Sequence, residues 1–246
     1  MCETGPHCWT VVARPPLNPR LTSFRGRHDG QRAVLVANGP SLNRMDLSFL
    51  RHETAIGLNK IHLGIKRFGF YPRYLVAVND RVVAQSAPEI RAMNCVKFIS
   101  QRNADIVPEN ALTFHINTAN PPARFCNNIA QGVHEGWTVS YAAMQIAFYL
   151  GFQELIIIGM DHRFEYTGRP NDPCRMIGAD PNHFSADYFG GGQTWDNPDL
   201  LRSEESYRIA RSEFEKAGRR IIDATVDGAC EVFEKTDYRQ FFGETR

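Results

Sequence analysis

Residues 33–46 read AVLVANGPSLNRMD, and this stretch decides how the chain is built. Ala33 to Ala37 run without a polar interruption, the pattern of a strand buried on both faces. They stop at Asn38-Gly39-Pro40-Ser41, and a helix-like pattern follows. A buried strand that turns into a helix in this way is the opening unit of a parallel α/β sheet. In such sheets ligands sit beyond the carboxyl ends of the strands, where Asn38 would project. Gly39 would let the backbone approach a ligand and Pro40 would stiffen the turn. Ser41 would cap a helix whose free N–H groups attract a phosphate.

The rhythm recurs along the chain. TAIGL (54–58), YLVAV (74–78), VKFIS (96–100), LTFHI (112–116), ELIIIG (154–159) and RRIIDA (219–224) read as further strands. Between them TVSYAAMQIAFYLG places Val139, Ala142, Ala143, Ile146, Ala147 and Leu150 on one helical stripe, with Thr138 as N-cap and Gly151 as stop. DLLRSEESYRIARSEFEKAG carries a second stripe through Tyr207, Ala210, Phe214 and Ala217. The expected fold is one Rossmann-like α/β domain over residues 32–246, a mainly parallel sheet flanked by helices. Residues 1–31, with Pro6, Pro15, Pro16 and Pro19, read as an irregular leader, and their arginines as a solvated arm. Residues 162–197 are rich in Gly, Pro, Asn, Asp and aromatic residues; so long a stretch without strand or helix pattern reads as a lid over a site.

Composition narrows the function. The chain has 246 residues, 43% of them hydrophobic, with 28 basic and 27 acidic side chains and a net charge of +1, which argues against nucleic acid as a partner. The six cysteines form no Cys-x-x-Cys pair and no zinc spacing, as in a reduced protein. No apolar run approaches the ~18 residues of a membrane span, and the amino terminus has no signal-peptide core. A cytoplasmic location is the expectation.

Four strand ends carry polar residues: Asn38, Asn59, Asn79 with Asp80, and Asp161 with His162. Each alone is an ordinary terminator. Converging on one sheet edge, their amides would offer donors and acceptors to a ligand's hydroxyls and base edges. Thr138 and Ser140 open a helix that could meet a phosphate, although simple capping accounts for them equally well. His183, inside the lid, suits a general base, since an unperturbed histidine titrates near ~6.5. His162 could hold the lid, contact a phosphate or bond Asp161. Asp161, His162, His183 and Asp187 have ligand chemistry but no short metal spacing, and neither G-x-G-x-x-G, a P-loop nor Asp-x-Asp occurs. Metal-free chemistry is expected.

VANGPSLNRMDLSFL, GLNKIHL, YLVAVND, TVSYAAMQIAFYLGFQELIIIGMDHRF and HFSADYFGGG, in this order, resemble the bacterial family called domain of unknown function 115. That family includes 6-hydroxymethylpterin diphosphokinase-like proteins and motility accessory factor glycosyltransferases. The same motifs are similar to those of the sialyltransferases of glycosyltransferase family 42. The resemblance implies a GT-A-like nucleotide-sugar fold, with Asn38 and Gly39 at the ribose and phosphate and Asn59 and Asn79 at the nucleotide and donor sugar. It also implies Thr138 and Ser140 as nucleotide-binding hydroxyls and His183 as the base; Pro40 and Ser41 of the loop and the strand-end Asp161 are read as nucleotide-binding candidates beside them. Tyr166 and Tyr188 are candidates for the lid tyrosines that assist phosphate departure, and Ala37 stands where the usual first glycine would be.

The leading expectation is a metal-independent glycosyltransferase of polysaccharide biosynthesis. It would move a sugar, of sialic or nonulosonic type, from a CMP-linked donor to a glycan or protein acceptor, with no cofactor and with His183, Tyr188 and His162 catalytic. Two alternatives stay open. One is an ATP-dependent diphosphokinase acting on 6-hydroxymethylpterin, with Mg²⁺ held by Asp80 and Asp161. The other is a nucleotide-binding protein without catalysis. A homo-oligomer is compatible with either class.

Overall fold

The structure, a computed structural model, describes residues 18–119 and 123–242. Eight strands form one sheet: β1 Arg32–Val36, β2 Ala55–Leu58, β3 Tyr74–Ala77, β4 Val96–Ser100, β5 Thr113–Ile116, β6 Glu154–Ile158, β7 Arg220–Asp223 and β8 Glu234–Lys235. Their spatial order is β8-β7-β6-β1-β2-β3-β4-β5, and every neighbouring pair is parallel. The seven strands read from the sequence are present. The edge strand β8 is too short and polar to announce itself.

The strand composition follows from burial on both sides. In β1, Ala33 and Leu35 join the core on one face while Val34 and Val36 join the core on the other. In β6, Leu155 and Ile157 alternate with Ile156 and Ile158 in the same way. Successive side chains point to opposite faces, so a strand covered on both must be apolar throughout. Two short helices, α1 Asp80–Gln85 and α2 Ala87–Ala92, cover one face together with the lid. The long helices α3 Val139–Leu150 and α4 Leu200–Lys216 cover the other. Helix α3 is buried almost all round, beyond the single stripe the periodicity implies. Its one central polar side chain, Gln145, is satisfied: the amide accepts from the N–H of Cys126 and His134 and donates to the carbonyls of His134 and Tyr141.

Residues 18–31 correct the expectation of an irregular, solvated leader; the earlier residues lie outside the described ones. Asn18 caps a helical turn at Pro19–Thr22, and Leu21 and Phe24 are each 1% exposed. The Phe24 ring meets Phe98 and Phe114 edge-on. His28 stacks on Phe152, and its Nε2 bonds the Tyr74 hydroxyl at 2.7 Å. Burying a phenylalanine contributes roughly 1.5–3 kcal/mol toward holding this segment on the sheet.

Residues 162–197 form an ordered cover. A two-stranded antiparallel ribbon pairs Pro173–Arg175 with Thr194–Asp196. Phe184, Tyr188, Phe189 and Trp195 are at most 5% exposed. No helix among the described residues is long and apolar enough to cross a membrane.

Candidate active site

Strand β1 lies between β2 and β6, so the chain leaves the sheet centre in opposite directions on its two sides. Such a switch point opens a crevice at the carboxyl ends. Here it is a cleft of about 580 Å³, bordered by the ends of β1, β2, β3 and β6, by the starts of α3 and α4, and by the lid.

The β1 and β6 ladders run on past the strands: Ala37 N–H donates to Ile158 O and Gly39 N–H to Gly159 O, at 2.9 and 2.8 Å. The Asp161 carboxylate then reaches back across the crevice. Its Oδ1 accepts from Ser41 N–H at 3.0 Å and its Oδ2 from the Ser41 hydroxyl at 2.6 Å. A Cβ on Gly39 would stand 1.9 Å from Asp161 Oδ2 and 2.6 Å from Gly159 O. The glycine is therefore required by a carboxylate of the same chain. This corrects the phosphate cradle expected at Gly39-Pro40-Ser41. The turn leads into a single 3-10 turn at Pro40–Arg44 whose N–H and hydroxyl at Ser41 are already taken, and neither Pro40 nor Ser41 borders the cleft.

The remaining expected residues do meet there. Asn38, Gly39, Asn59 and Asn79 line the sheet side of the cleft, Asp161 and His162 its β6 corner, and Thr138 and Ser140 its helical side. Asn38 Nδ2 donates to Leu58 O at 3.1 Å, which fixes the amide and leaves Oδ1 buried without a partner. Asn59 Oδ1 is likewise unpartnered. Asn79 is committed differently: its Oδ1 caps α1 by accepting from Val82 N–H at 3.1 Å. Thr138 caps α3 by accepting from Ser140 N–H at 3.3 Å. Asp80 points away from the cleft, bonded to Arg102 and Asn103.

The lid supplies the acid–base chemistry. His183 Nδ1 lies 2.8 Å from Asp180 Oδ2, and the Asp180 side chain is fully buried. Burial pushes the Asp180 carboxyl up, but the hydrogen bond and charge of His183 and the N–H groups of Asn182 and Phe189 outweigh it and hold the pKa below the ordinary value. An ionised carboxylate only accepts, so Nδ1 carries a proton, and in the neutral tautomer the lone pair is on Nε2. The imidazole stacks on Tyr188, ring centroids 3.9 Å apart and planes within 2°. Tyr188 itself is 1% exposed, burial raises its pKa, and its hydroxyl accepts from Lys60 N–H at 3.4 Å. It serves as a platform for His183 and itself borders the cleft, whereas Tyr166 does not. His162 bonds Glu204 on α4, Nε2 to Oε1 3.2 Å, and burial lowers its pKa against the opposing pull of that carboxylate. Among the described residues no three His, Cys, Asp or Glu side chains are grouped as metal ligands.

Residues 10–167 match 6-hydroxymethylpterin diphosphokinase MptE-like proteins. The chain belongs to that family. No curated protein matches it. Its backbone is similar to that of the MAf glycosyltransferase from Magnetospirillum magneticum AMB-1, with a TM-score of 0.53 and 15% identity over 89% of this chain. The chain spans 37% of that protein's length. At this identity the likeness is one of fold.

Sequence reasoning overlooked several residues of this MptE-like site. Asp180 had a readable signal, a carboxylate three residues before the candidate base. Lys60 had less: it follows Asn59, is 2% exposed, and donates to Tyr188 O at 2.6 Å and to the side-chain oxygens of Gln85 and Gln193. Burial pushes its pKa down to about 8. It pins the lid to β2, while Gln85 reaches Thr194 O, Arg81 pairs with Asp196, and Phe184 N–H donates to Asn38 O. Trp137 adopts a left-handed conformation, φ 69°, directly before α3. Asn59, His162 and Asn171 share that strained region and also border the cleft.

Proposed function

We propose that the chain is a glycosyltransferase that moves a sugar from a cytidine-monophosphate-linked donor, of the nonulosonic class the resemblance implies, to a hydroxyl acceptor. The Asp180–His183 pair carries this reading, because a buried carboxylate that fixes the tautomer leaves His183 Nε2 free to take a proton. The acceptor oxygen attacks the anomeric carbon as Nε2 removes its hydrogen, and the bond from that carbon to the phosphate oxygen breaks. Negative charge then grows on the departing phosphate. The hydroxyls of Thr138 and Ser140, at the start of α3, border the same cleft and would stabilise it. Lid aromatic side chains exclude water, whose attack would hydrolyse the donor.

The charge inventory supports a monophosphate link. Arg81 is the only lysine or arginine lining the cleft among the described residues, and it is paired with Asp196. A diphosphate would demand more positive charge or a metal. The two carboxylates that a diphosphokinase would use for Mg²⁺ are engaged, Asp161 by Ser41 and Asp80 by Arg102.

A thermal-shift comparison tests the reading. CMP should raise the melting temperature without Mg²⁺ and by more than ATP or UDP, through linkage. Stabilisation by ATP alone, and only with Mg²⁺, would replace glycosyl transfer by diphosphoryl transfer.

A further inference from the structure

The turn after β2 carries a buried ammonium group that the transfer step leaves unused. Lys60 Nζ lies 2.6 Å from Tyr188 O, 2.5 Å from Gln193 Oε1 and 2.9 Å from Gln85 Oε1. Gln85 cannot turn its oxygen away, because its Nε2 donates to Thr194 O. An ammonium group has three N–H donors and no acceptor, so three oxygens use all of it. A neutral amine has two N–H donors, and its lone pair would face the third oxygen. The contact suits the charged form. Lys60 does not border the cleft, so it holds protein rather than ligand.

Its hold falls on the peptide group between Tyr188 and Phe189. The carbonyl of that peptide accepts from Lys60, and its N–H donates to Asp180 Oδ2 at 3.1 Å. The same Oδ2 lies 2.8 Å from His183 Nδ1. A single peptide group connects the ammonium to the carboxylate of the acid–base pair, and hydrogen bonds in such a chain polarise one another. The Tyr188 ring is also the surface on which the imidazole stacks, centroids 3.9 Å apart. Both routes end on His183.

Asp180 of the lid and Glu89 of α2 favour the charged form of Lys60, but burial outweighs them and brings its pKa down to about 8. On the same turn burial also pushes His62 down, and in the lid it pushes the Tyr188 phenol up. Helix α1 faces Lys60 with the neutral Gln85.

We propose that Lys60 is a positioning residue for the base: its ammonium group holds the Tyr188–Phe189 peptide, and through it Asp180 and the stacked His183 imidazole, in the reactive arrangement. The inference rests on the proposed glycosyl transfer for its effect on rate, while the placement of His183 can be read without substrate.

The test follows the ring-proton NMR signals of His183 in the ligand-free full chain from neutral to alkaline pH, assigned with His183→Gln. In the parent chain the Tyr188 ring current holds these signals upfield, and they should move toward unstacked positions with an inflection near pH 8. Lys60→Met should show them displaced at every pH and without that inflection, whereas an inflection of the imidazole itself would remain in both chains. If Lys60→Met does not fold, Gln193→Leu serves instead: it removes one of the three acceptors, weakens the hold on the ammonium, and should move the inflection to lower pH. Signals that do not respond to pH or to either variant overturn the inference, whatever the chain transfers. With CMP-N-acetylneuraminate as donor, Lys60→Met should lower the rate of CMP release at saturation by about 10–100-fold, as expected for a misplaced base, and leave CMP affinity by calorimetry unchanged. A loss confined to affinity, at full rate, would also overturn it. If the His183 signals respond as expected but CMP neither binds nor is released from the donor, the positioning role stands and the glycosyltransferase reading falls.

Discussion

Asp180→Asn is the perturbation that separates a working acid–base pair from a structural one. The carboxylate accepts three hydrogen bonds: Oδ2 from His183 Nδ1 at 2.8 Å and from Phe189 N–H at 3.1 Å, and Oδ1 from Asn182 N–H at 2.8 Å. An asparagine of the same shape has one accepting oxygen. With that oxygen toward His183, its NH₂ opposes the Asn182 N–H, and a buried donor is stranded at a cost of about 1–3 kcal/mol. Turned the other way, its NH₂ opposes Nδ1, and the imidazole must move its proton to Nε2, the atom that should accept from the substrate. Either way the base is misplaced or mis-tautomerised. The expected loss is about 10²–10⁴ in transfer rate, or roughly 3–5 kcal/mol of barrier.

The assay is sugar transfer with saturating donor, read beside donor affinity by calorimetry. Affinity for the nucleotide should survive, because Asp180 faces His183 and the lid backbone rather than the cleft amides. His183→Ala should lose as much as Asp180→Asn, and the double variant little more than either, since residues acting as one unit are not additive. A folded Asp180→Asn chain that transfers sugar at the full rate would refute the argument. So would losses that multiply in the double variant.

Three further outcomes are expected. Lys60→Met should loosen the lid, seen as faster proteolysis within residues 162–197. It should also remove a pH effect: with a folded pKa near 8 against an ordinary 10.5, the unfolded chain holds the extra proton between those values, so stability in denaturant should rise over that range in the parent chain and not in the variant. Gly39→Ala should destabilise the fold by about 1–3 kcal/mol, because the new methyl must displace the Asp161 carboxylate from Ser41; equal denaturation midpoints would show that the β6 corner yields freely. Asn38→Ala should weaken CMP binding by about 0.5–1.5 kcal/mol, the worth of one hydrogen bond, and unchanged calorimetric affinity would remove Asn38 Oδ1 from the nucleotide site.

The sheet was legible because its strands are covered on both faces: runs such as ELIIIG admit few other readings. The buried segment at Leu21 and Phe24 was not, since two isolated apolar residues among prolines and arginines carry no period. Their burial depends on Phe98 and Phe114, strands away in sequence. Asp161 was visible as a strand-end acid, but its bond to Ser41 spans 120 positions, and nothing local distinguishes a carboxylate that will meet a ligand from one that will meet its own chain.

That distinction is the physical content of the site. Asn38, Asn59 and Asn79 are the same residue type at equivalent strand ends, yet Asn79 spends its oxygen capping α1 while Asn38 and Asn59 keep theirs unpartnered. Composition cannot separate them; the inventory of bonded and unbonded atoms can. A buried acceptor without a donor is unfavourable by about 1–3 kcal/mol, and left-handed backbone at a non-glycine residue adds a similar cost. Asn59 carries both, at φ 47°. Trp137, His162 and Asn171 carry the backbone cost, and Trp195 and Asn197 the unpartnered atoms, all around one cleft. A fold under selection for stability alone would disperse or remove such costs. Four of the five described non-glycine residues with left-handed backbone, Asn59, Trp137, His162 and Asn171, border the one cleft where β1 and β6 diverge, the kind of place where backbone strain is retained for function.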